Sequence, residues 1–568
     1  MPTSISSKTN LLRVGSYRRK QISPHILILS TIMILQTTFA LLFAVYTLAE
    51  EQVVVHTAAG KVGGHWNTSR GGRKFLSFLK IPYALPPVGN LRFKPPVEMK
   101  SWSNIRNATD PGPWCLQYNT YEINPKVLGE ENCLYLSVYT HSITSKNAVI
   151  IHFHGGGFFS GTGPRRSQPN YMMDEDVVIV DLNYRLGFLG FLSFEDKEMP
   201  GNQGLKDQVM AMKWVQKNIA KFGGDPNKVT IVGESAGAGS VYHHTVSSMS
   251  QGLFHRGIAE SGTSYDPWGI APPGHSKAIA KRLAKNLGCP AMTTNEAVSC
   301  LVKKNGADIV SGLEAFKAWQ IDTGIIWPCL EPPGPDAFLV GPVSNWQHNP
   351  VPLILGTTSG EGLLRTGYFN YYKLDFKWFT DNFEKLGPLS LKYSEIASNP
   401  KKVTKKLRDY YFSGGEITSD SWFNLTQLYT DSWFAIGIID GANYHEGDVY
   451  FYYYDYVGEN TWWKSTNRTL FFGAPHTEEI NFIWKNPFLN WTHEGDDLQF
   501  SRRLVKIWTD FAKFGNPAPR GSDLSWSKWN PSKHNYLEMS NSGFEQKEGF
   551  AKDRYKFWKS INYRDNIK

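Results

Sequence analysis

The chain contains 568 residues, of which 41% are hydrophobic and 20% charged, so it can bury a large core and is not compositionally disordered. Its formal charge of +9 is concentrated at the N-terminus, because residues 1–49 hold five basic residues and no acidic one, and without them the charge is +4. The rest of the chain has no block of Lys and Arg interleaved with aromatic residues, which argues against nucleic-acid binding.

The first 49 residues are predicted to be a leader, in which a basic segment precedes an uncharged stretch from Ile26 to Ala49. That stretch is long enough for a signal anchor, since a spanning helix needs about 20 residues, whereas "FALLFAVYTLA" resembles the shorter core of a signal peptide cleaved at Ala49. We favour cleavage, which predicts a secreted protein; retention of residues 26–49 as a membrane anchor would give a type II membrane protein. Both interpretations place Glu50 onward on the lumenal or extracellular side.

No repeat and no long Pro, Gly or Ser linker divides the remainder, which predicts one domain over residues 50–545 and a C-terminal tail over residues 546–568. The five cysteines suit an oxidising compartment, with two bridges and one free thiol as the simplest arrangement. The apolar flank of Cys329 predicts a buried, inert thiol. Glycosylation sequons, also typical of secreted chains, occur at Asn67, Asn107, Asn424, Asn467 and Asn490.

The first element that bears on function is "AVIIHFHGGGF". Residues 148–153 are mostly apolar or β-branched and predict a buried strand, after which three glycines follow His154. Successive glycines expose backbone N–H groups, and preorganised amide donors stabilise the negative oxygen that forms during acyl transfer. A turn that merely needs positive φ is the alternative reading.

Farther along, "GLKDQVMAMKWVQKNIAKFGG" has one apolar face and predicts a helix that ends at Gly223. The strand-like run "KVTIV" then leads into "GESAGAGS". A strand, a sharp turn and a helix form a nucleophile elbow, in which Gly233 and Gly237 make room for Ser235 at the tip of the turn. The alternation of strands and helices predicts an α/β fold with a large, mostly parallel sheet flanked by helices.

A nucleophilic serine needs a base, and the base needs an acid that orients it. Glu361 follows the predicted strand "VPLIL", and His476 follows the predicted strand "DVYFYYYDY". The order Ser235, Glu361, His476 matches the order of nucleophile, acid and histidine in α/β-hydrolases. Spacing alone selects neither Glu361 from its acidic neighbours nor His476 from the 15 histidines of the chain.

From about Val53 to about Met539, the sequence resembles the type-B carboxylesterases of the cholinesterase-like carboxylesterase/lipase family, and is most similar to insect esterases. The segments "IPYALPPVGNLRFKPP", "EENCLYLSVYT", "HFHGGGFFSG", "VDLNYRLGFLGFLS", "VTIVGESAGAGS" and "FAKFGNPAP" follow the family pattern in order and spacing. The resemblance implies an α/β-hydrolase fold and hydrolysis of small-molecule carboxylic esters, with no metal or cofactor.

The resemblance also assigns individual residues. Ser235 would be the nucleophile, His476 the general base and then acid, and Glu361 the carboxylate that holds the imidazole. The oxyanion hole would be formed by the amides of Gly156, Gly157 and Ala236, and the substrate pocket would include Trp268, on the acyl side, and Glu234. Family disulfides would join Cys115 to Cys133 and Cys289 to Cys300, and family salt bridges would join Arg92 to Glu131 and Arg185 to Asp207.

Two alternatives stay open. Juvenile hormone esterases usually carry Gln before the nucleophile, where this chain has Glu234, which weakens that substrate assignment without excluding it. The same family also includes adhesion proteins without a working triad. Ser235, Glu361 and His476 are all present here, which favours a general carboxylesterase that acts on xenobiotic or lipid-derived esters.

Overall fold

The computed structural model describes residues 52–120, 124–317, 325–371, 375–461, 473–489, 491–561 and 563. The predicted leader and the sequons at Asn467 and Asn490 lie outside the described residues. Within the described ranges, no helix combines the length and apolar character needed to cross a membrane.

One large twisted sheet organises the described chain, and its strands are numbered β1 to β11 in chain order. They are His65–Thr68, Lys74–Pro82, Tyr135–Thr140, Asn147–Phe153, Val177–Leu182, Gly224–Glu234, Arg256–Glu260, Leu353–Thr358, Val449–Asp455, Tyr536–Ser540 and Gly543–Lys547. The spatial order is β11-β10-β9-β8-β7-β6-β4-β5-β3-β2-β1. Strands β5, β4, β6, β7, β8, β9 and β10 run parallel, whereas the two edges are antiparallel.

The helices of the described ranges are numbered α1 to α14. They are Gly187–Phe191, Gln203–Asn218, Ala236–Val246, His275–Asn286, Thr294–Leu301, Gly306–Ser311, Leu363–Tyr371, Phe376–Ser390, Pro400–Phe412, Trp422–Thr430, Ile436–Tyr444, Ile480–Ile483, Gly495–Phe514 and Lys552–Ser560. Two small sheets lie beside them, one of Val54–His56, Lys61–Gly63 and Arg106–Asn107 and one of Gln117–Tyr118 and Val127–Leu128. The predicted helix up to Gly223 is α2 with a 3₁₀ turn over Ile219–Phe222, and Gly223 ends it at φ 77°.

Apolar residues cover both faces of the sheet. Successive side chains of a strand point to opposite faces; in β6, Ile231 belongs to the buried cluster that includes apolar residues of α2 and α3, whereas Val232 belongs to the cluster that includes those of α13. This arrangement explains why the central strands read as nearly continuous apolar runs rather than as alternating ones. The layers are therefore helix, sheet, helix, as predicted for the α/β class.

The chain beyond residue 545 is folded onto the domain, although the sequence suggested a tail there. Residue 545 falls within β11, which pairs with β10, and α14 buries Trp558 completely. Arg554 Nε of the same helix lies 3.0 Å from a carboxylate oxygen of the buried Asp431. Asp431 begins a π-helical turn, Asp431–Ala435, between α10 and α11.

Both disulfides suggested by the family resemblance are present, between Cys115 and Cys133 and between Cys289 and Cys300. Cys329 is a buried free thiol, and burial raises its pKa to about 12, so it is unreactive at neutral pH.

The two predicted salt bridges are also formed. Arg92 Nε lies 2.7 Å from Glu131 Oε2, and Arg185 Nε lies 2.7 Å from Asp207 Oδ2. Both pairs are largely buried, so their role here is to support the scaffold.

Candidate active site

Ser235 lies on a sharp turn between β6 and α3. Its backbone adopts φ 57° and ψ −119°, a strained conformation for a residue other than glycine and one that is typical of functional sites. A Cβ added to Gly237 would lie 2.0 Å from the carbonyl oxygen of Phe153, and one added to Gly233 would lie 2.6 Å from the backbone of Gly237. The two glycines are therefore required by close packing, and they leave the half-buried Ser235 at the tip of the turn.

Glu361 is fully buried beyond the end of β8, where its Oε2 lies 2.5 Å from His476 Nδ1. Its Oε1 accepts hydrogen bonds from the Thr358 amide at 2.8 Å, from Thr357 Oγ1 at 3.0 Å and from Ser261 Oγ. Burial favours the neutral carboxyl, but His476 and these donors outweigh it and hold the pKa of Glu361 below its usual value. Glu361 is therefore ionised at neutral pH and orients the imidazole.

Short backbone contacts fix the loop that carries His476. The Gly360 amide donates to the Ala474 carbonyl at 2.8 Å, and the Ala474 amide donates to Ser359 Oγ at 2.8 Å. On the other side, the centroid of the Phe434 ring lies 4.6 Å from that of the His476 ring. Phe434 also lines a cavity beside Ser235, so His476 lies next to a residue of the cavity wall.

The structure brings Glu361 and His476 into direct contact, but Ser235 Oγ makes no hydrogen bond to any described residue. The Ser235 amide donates to the Glu260 carbonyl at 2.8 Å, and the residue after Glu260, Ser261, donates its hydroxyl to Glu361. These two hydrogen bonds connect the turn of Ser235 to the candidate acid. In enzymes without substrate, catalytic hydrogen bonds are often long and tighten in the substrate complex.

Three candidate amide donors belong to two turns that meet at this serine, since a Cβ added to Gly155 would lie 3.1 Å from Ser235 Cβ. Gly156 and Gly157 follow β4 with φ 108° and 62°, and Ala236 is the first residue of α3. Within the described chain, none of these three N–H groups donates to another group. A helix N-terminus next to two free glycine amides suits a developing negative charge.

Glu234 belongs to a buried ionic network. Its Oε1 accepts from the Gly155 amide at 2.7 Å, and its Oε2 lies 3.2 Å from His152 Nε2. His152 Nδ1 lies 3.1 Å from Asp181 Oδ1. Burial opposes a charged imidazole, but the two carboxylates raise the pKa of His152 to about 10. The family resemblance suggests Glu234 as a pocket residue; in the structure its carboxylate accepts from the glycine loop, and its place in the substrate pocket stays a prediction.

The cavity beside Ser235 is mainly aromatic, as substrate pockets usually are. Its described lining contains Phe158, Phe159, Trp268, Trp327, Trp433 and Phe434, in addition to Ser235, Gly157, Leu364 and Arg365. Trp268 is buried, and its indole N–H donates to the Trp433 carbonyl at 2.8 Å. The structure thus places Trp268 in the wall of this cavity; that this wall receives the acyl group stays a prediction.

Three residues that help to form the candidate site or its cavity were not predicted from the sequence. Ser261 could have been found from its position directly after β7, because the carboxyl ends of parallel strands meet at one edge of the sheet. Phe434 and Arg365 carry no sequence signal, since they reach the cavity through a π-helical turn and the first turn of α7. No group of three or more His, Cys, Asp or Glu side chains in the described ranges could hold a metal ion.

Comparisons with known proteins agree with this geometry. The carboxylesterase family model matches residues 51–558. A carboxylic ester hydrolase from Bombus ignitus is 33% identical over 91% of this chain and 95% of its own, and juvenile hormone esterase from Tribolium castaneum is 33% identical over 90% and 94%. The crystal structure of juvenile hormone esterase from Manduca sexta superposes with a TM-score of 0.80 at 27% identity, over 90% of this chain and 99% of that one. The predicted α/β-hydrolase fold is confirmed, and the chain belongs to the carboxylesterase family as a carboxylic ester hydrolase.

Proposed function

We propose that the enzyme hydrolyses small-molecule esters through an acyl-enzyme on Ser235. The observation that carries this assignment is the hydrogen bond between Glu361 and His476, whose ring packs on Phe434 of the cavity that Ser235 lines. Ser235 Oγ attacks the ester carbonyl while His476 Nε2 takes its proton, and the alcohol leaves with that proton. Water then attacks the acyl-enzyme by the same route and releases the acid and free Ser235.

The remaining residues of the site stabilise the charges that develop during the reaction. The ionised Glu361 stabilises the imidazolium that His476 becomes during each proton transfer. The free amides of Gly156, Gly157 and Ala236 are proposed to bind the oxyanion of both tetrahedral intermediates. Glu234 supports this hole indirectly through the Gly155 amide.

Labelling and turnover together test the proposal. The wild type should react with a fluorophosphonate probe and hydrolyse 4-nitrophenyl acetate, whereas Ser235→Ala should lose both, with a fall in kcat on the order of a millionfold. Ser248→Ala, at an exposed serine just after α3, is the matched control and should behave as wild type. A folded wild type that forms no adduct would favour the adhesion-protein alternative.

A juvenile-hormone-like ester is the second substrate candidate, favoured by the two relatives of that name. Hydrolysis of juvenile hormone with a kcat/KM far above that for naphthyl acetate would support it. Comparable or lower efficiency would support a general carboxylesterase.

We also propose that the chain enters the secretory pathway and is secreted after cleavage near Ala49. The two disulfides support an oxidising compartment, and Asn67 and Asn107 are exposed for glycosylation. Asn424 is exposed as a residue, but its amide nitrogen donates to the Tyr411 carbonyl at 2.6 Å. N-terminal sequencing of secreted protein should begin near Glu50; retention in carbonate-washed membranes with residues 26–49 intact would reverse the assignment.

A further inference from the structure

Trp327, which lines the cavity beside Ser235, belongs to a segment without helix or strand structure. Its indole ring stacks on the imidazole of His275, with the ring centroids 4.7 Å apart and the planes within 13° of each other. His275 is the first residue of α4, and 8% of its side chain is exposed. One aromatic wall of the candidate substrate cavity therefore rests on a largely buried histidine.

Both ring nitrogens of His275 face oxygen acceptors. Nδ1 lies 2.8 Å from Glu395 Oε2, and Nε2 lies 3.0 Å from the backbone carbonyl oxygen of Ile325. The hydrogen bond to His275 outweighs burial and lowers the pKa of Glu395, so this carboxylate is ionised at neutral pH and can only accept. A neutral imidazole has one N–H group, whereas the charged form has two. Only the charged form can therefore make both hydrogen bonds at once.

The hydrogen bond to Ile325 fixes the chain two residues before Trp327. Directly after Trp327, the Ala271 amide donates to the Pro328 carbonyl at 2.7 Å. That second bond joins two backbone groups, which do not titrate near neutral pH. The position of Trp327 thus depends on one contact that is independent of pH and on one, from His275, that changes with protonation.

Other charged groups belong to the elements around His275. Glu195 accepts from two backbone amides at the start of α4, at 2.7 and 3.2 Å, and the second of these amides is that of the exposed Lys277. Lys392, in the turn after α8, places positive charge near Glu395 and is a further cause of its lowered pKa. Of these charged groups, Glu395 is the one in hydrogen-bond contact with the imidazole.

Deprotonation of His275 should weaken its hold on Ile325. The single N–H group of the neutral ring can bond only one of the two acceptors. A charge-assisted hydrogen bond is stronger than a neutral one, so this proton stays between Nδ1 and Glu395, and Nε2 then turns a lone pair towards the Ile325 carbonyl. The stack also loses the attraction between a cation and the face of Trp327. The wall is therefore held most firmly while His275 is charged.

Building on the proposed function, we propose that His275 is a positioning residue that, as an imidazolium, holds Trp327 in the wall of the substrate cavity, so that ester binding weakens when this histidine is deprotonated. The charge of histidine side chains commonly changes between about pH 5 and 8. The reaction at Ser235 is unchanged, and His476 keeps its proposed role as the base.

Equilibrium binding to Ser235→Ala protein measures the cavity without turnover. The Kd of 1-naphthyl butyrate is determined by dialysis at about pH 5 and about pH 9, on either side of the range in which histidines usually titrate. We expect Kd to be about threefold to tenfold higher at the higher pH, which corresponds to the loss of one hydrogen bond. Equal Kd values at the two pH values would overturn the proposal.

Two further substitutions, each added to Ser235→Ala, separate the hydrogen bonds from the stacking. His275→Phe keeps a ring against Trp327 but has no N–H group, so its Kd should be high at both pH values. Glu395→Ala frees the neutral imidazole to donate from Nε2 to Ile325, so its Kd should be low at both. A Kd that still rises with pH in the Glu395→Ala protein would overturn the proposal.

His493→Phe is the matched control. Like His275, His493 stacks on an aromatic ring, that of Phe482 at 4.5 Å, and its Nε2 lies 2.8 Å from a backbone carbonyl oxygen, that of Asn481. It is not part of the described cavity lining, so His493→Phe should keep the pH dependence of Kd. Loss of the dependence in this control as well would overturn a specific role of His275.

Turnover of 4-nitrophenyl acetate by the wild type separates the two hypotheses. An inactive wild type would defeat the proposed function, and dialysis would still decide the role of His275 because it needs no turnover. An active wild type together with a Kd that does not change with pH would defeat only the role of His275. Thermal unfolding reports the folding of each variant; if His275→Phe does not fold, Glu395→Ala decides, since the Glu395 side chain is 55% exposed.

Discussion

The carboxylate of Glu234 accepts a hydrogen bond from the backbone amide of Gly155, with 2.7 Å between Oε1 and N. Glu234 directly precedes the candidate nucleophile Ser235, and Gly155 directly precedes Gly156 and Gly157 of the proposed oxyanion hole. The bond therefore joins the two segments that form the site. One side chain thus sets the distance between the two halves of the site.

Glu234→Ala is expected to lower kcat by about tenfold to a hundredfold, because the glycine loop loses the acceptor that fixes it. Glu234→Gln keeps an oxygen for the Gly155 amide and should retain activity within about threefold of wild type. Steady-state kinetics with 4-nitrophenyl acetate measure both, with the thermal midpoint as the folding control. Equal losses in the two variants would show that the charge of Glu234, and not its hydrogen bond, matters.

Gly156→Val should reduce kcat by on the order of a hundredfold, comparable to the loss of one oxyanion donor. At this position φ is 108° and a Cβ would lie 2.1 Å from the carbonyl oxygen of Ser160, so the loop must move and carry its amide away. Gly334→Val is the matched control, since Gly334 has no heavy atom within 4 Å of an added Cβ. Near-normal activity of a folded Gly156→Val protein would place the hole elsewhere.

Trp268→Leu should raise activity on bulky acyl esters relative to acetates. The substitution removes an indole ring from the cavity and its 2.8 Å hydrogen bond to the Trp433 carbonyl. The ratio of kcat/KM for naphthyl butyrate to that for naphthyl acetate should rise roughly tenfold, the lower end of the discrimination that one methylene group gives in a hydrophobic pocket. Trp378→Leu, at a largely exposed tryptophan of α8, should leave that ratio unchanged; an unchanged ratio in Trp268→Leu would remove Trp268 from the acyl pocket.

His152 should stay protonated through neutral pH. Because its pKa of about 10 in the folded protein lies above the ordinary 6.5, its contribution to the free energy of unfolding is fully present below about pH 6.5 and is lost as the pH rises towards 10. NMR of protein labelled at histidine, with His152→Gln to assign the signal, measures the titration. A midpoint near 6.5 would mean that the bonds to Asp181 and Glu234 do not persist in solution.

Sequence patterns predicted the elements that depend on local chemistry. The elbow around Ser235 could be read directly, because a buried strand, closely spaced glycines and a helix leave few backbone arrangements. Glu361 and His476 could also be proposed as acid and base from the sequence, because each follows a predicted strand in the order typical of α/β-hydrolases. The bond from Glu234 to the glycine loop could not be predicted, because adjacency in sequence to Ser235 does not reveal which way the side chain points beside a residue with positive φ.

Contacts between distant segments could not be predicted in the same way. Phe434 reaches His476 from a segment 42 residues earlier, and nothing distinguishes it among the 33 phenylalanines of the chain. Ser261 bonds to a carboxylate 100 residues away. Such contacts depend on the three-dimensional arrangement of the strand ends, which periodicity does not encode.

Helix α14 is linked to the wall of the cavity by hydrogen bonds and an ion pair. Trp558 Nε1 donates to the Tyr411 hydroxyl at 2.7 Å, and that hydroxyl donates to Asp431 Oδ2 at 2.6 Å, while Arg554 pairs with the same carboxylate. Asp431 opens the π-helical turn that presents Trp433 and Phe434. A chain that lacks α14 would bury Asp431 without its cation, and Phe434 would lose its support against His476. We therefore expect the site to take its final form only when α14 has folded onto Asp431, so that a helix outside the cavity completes its wall.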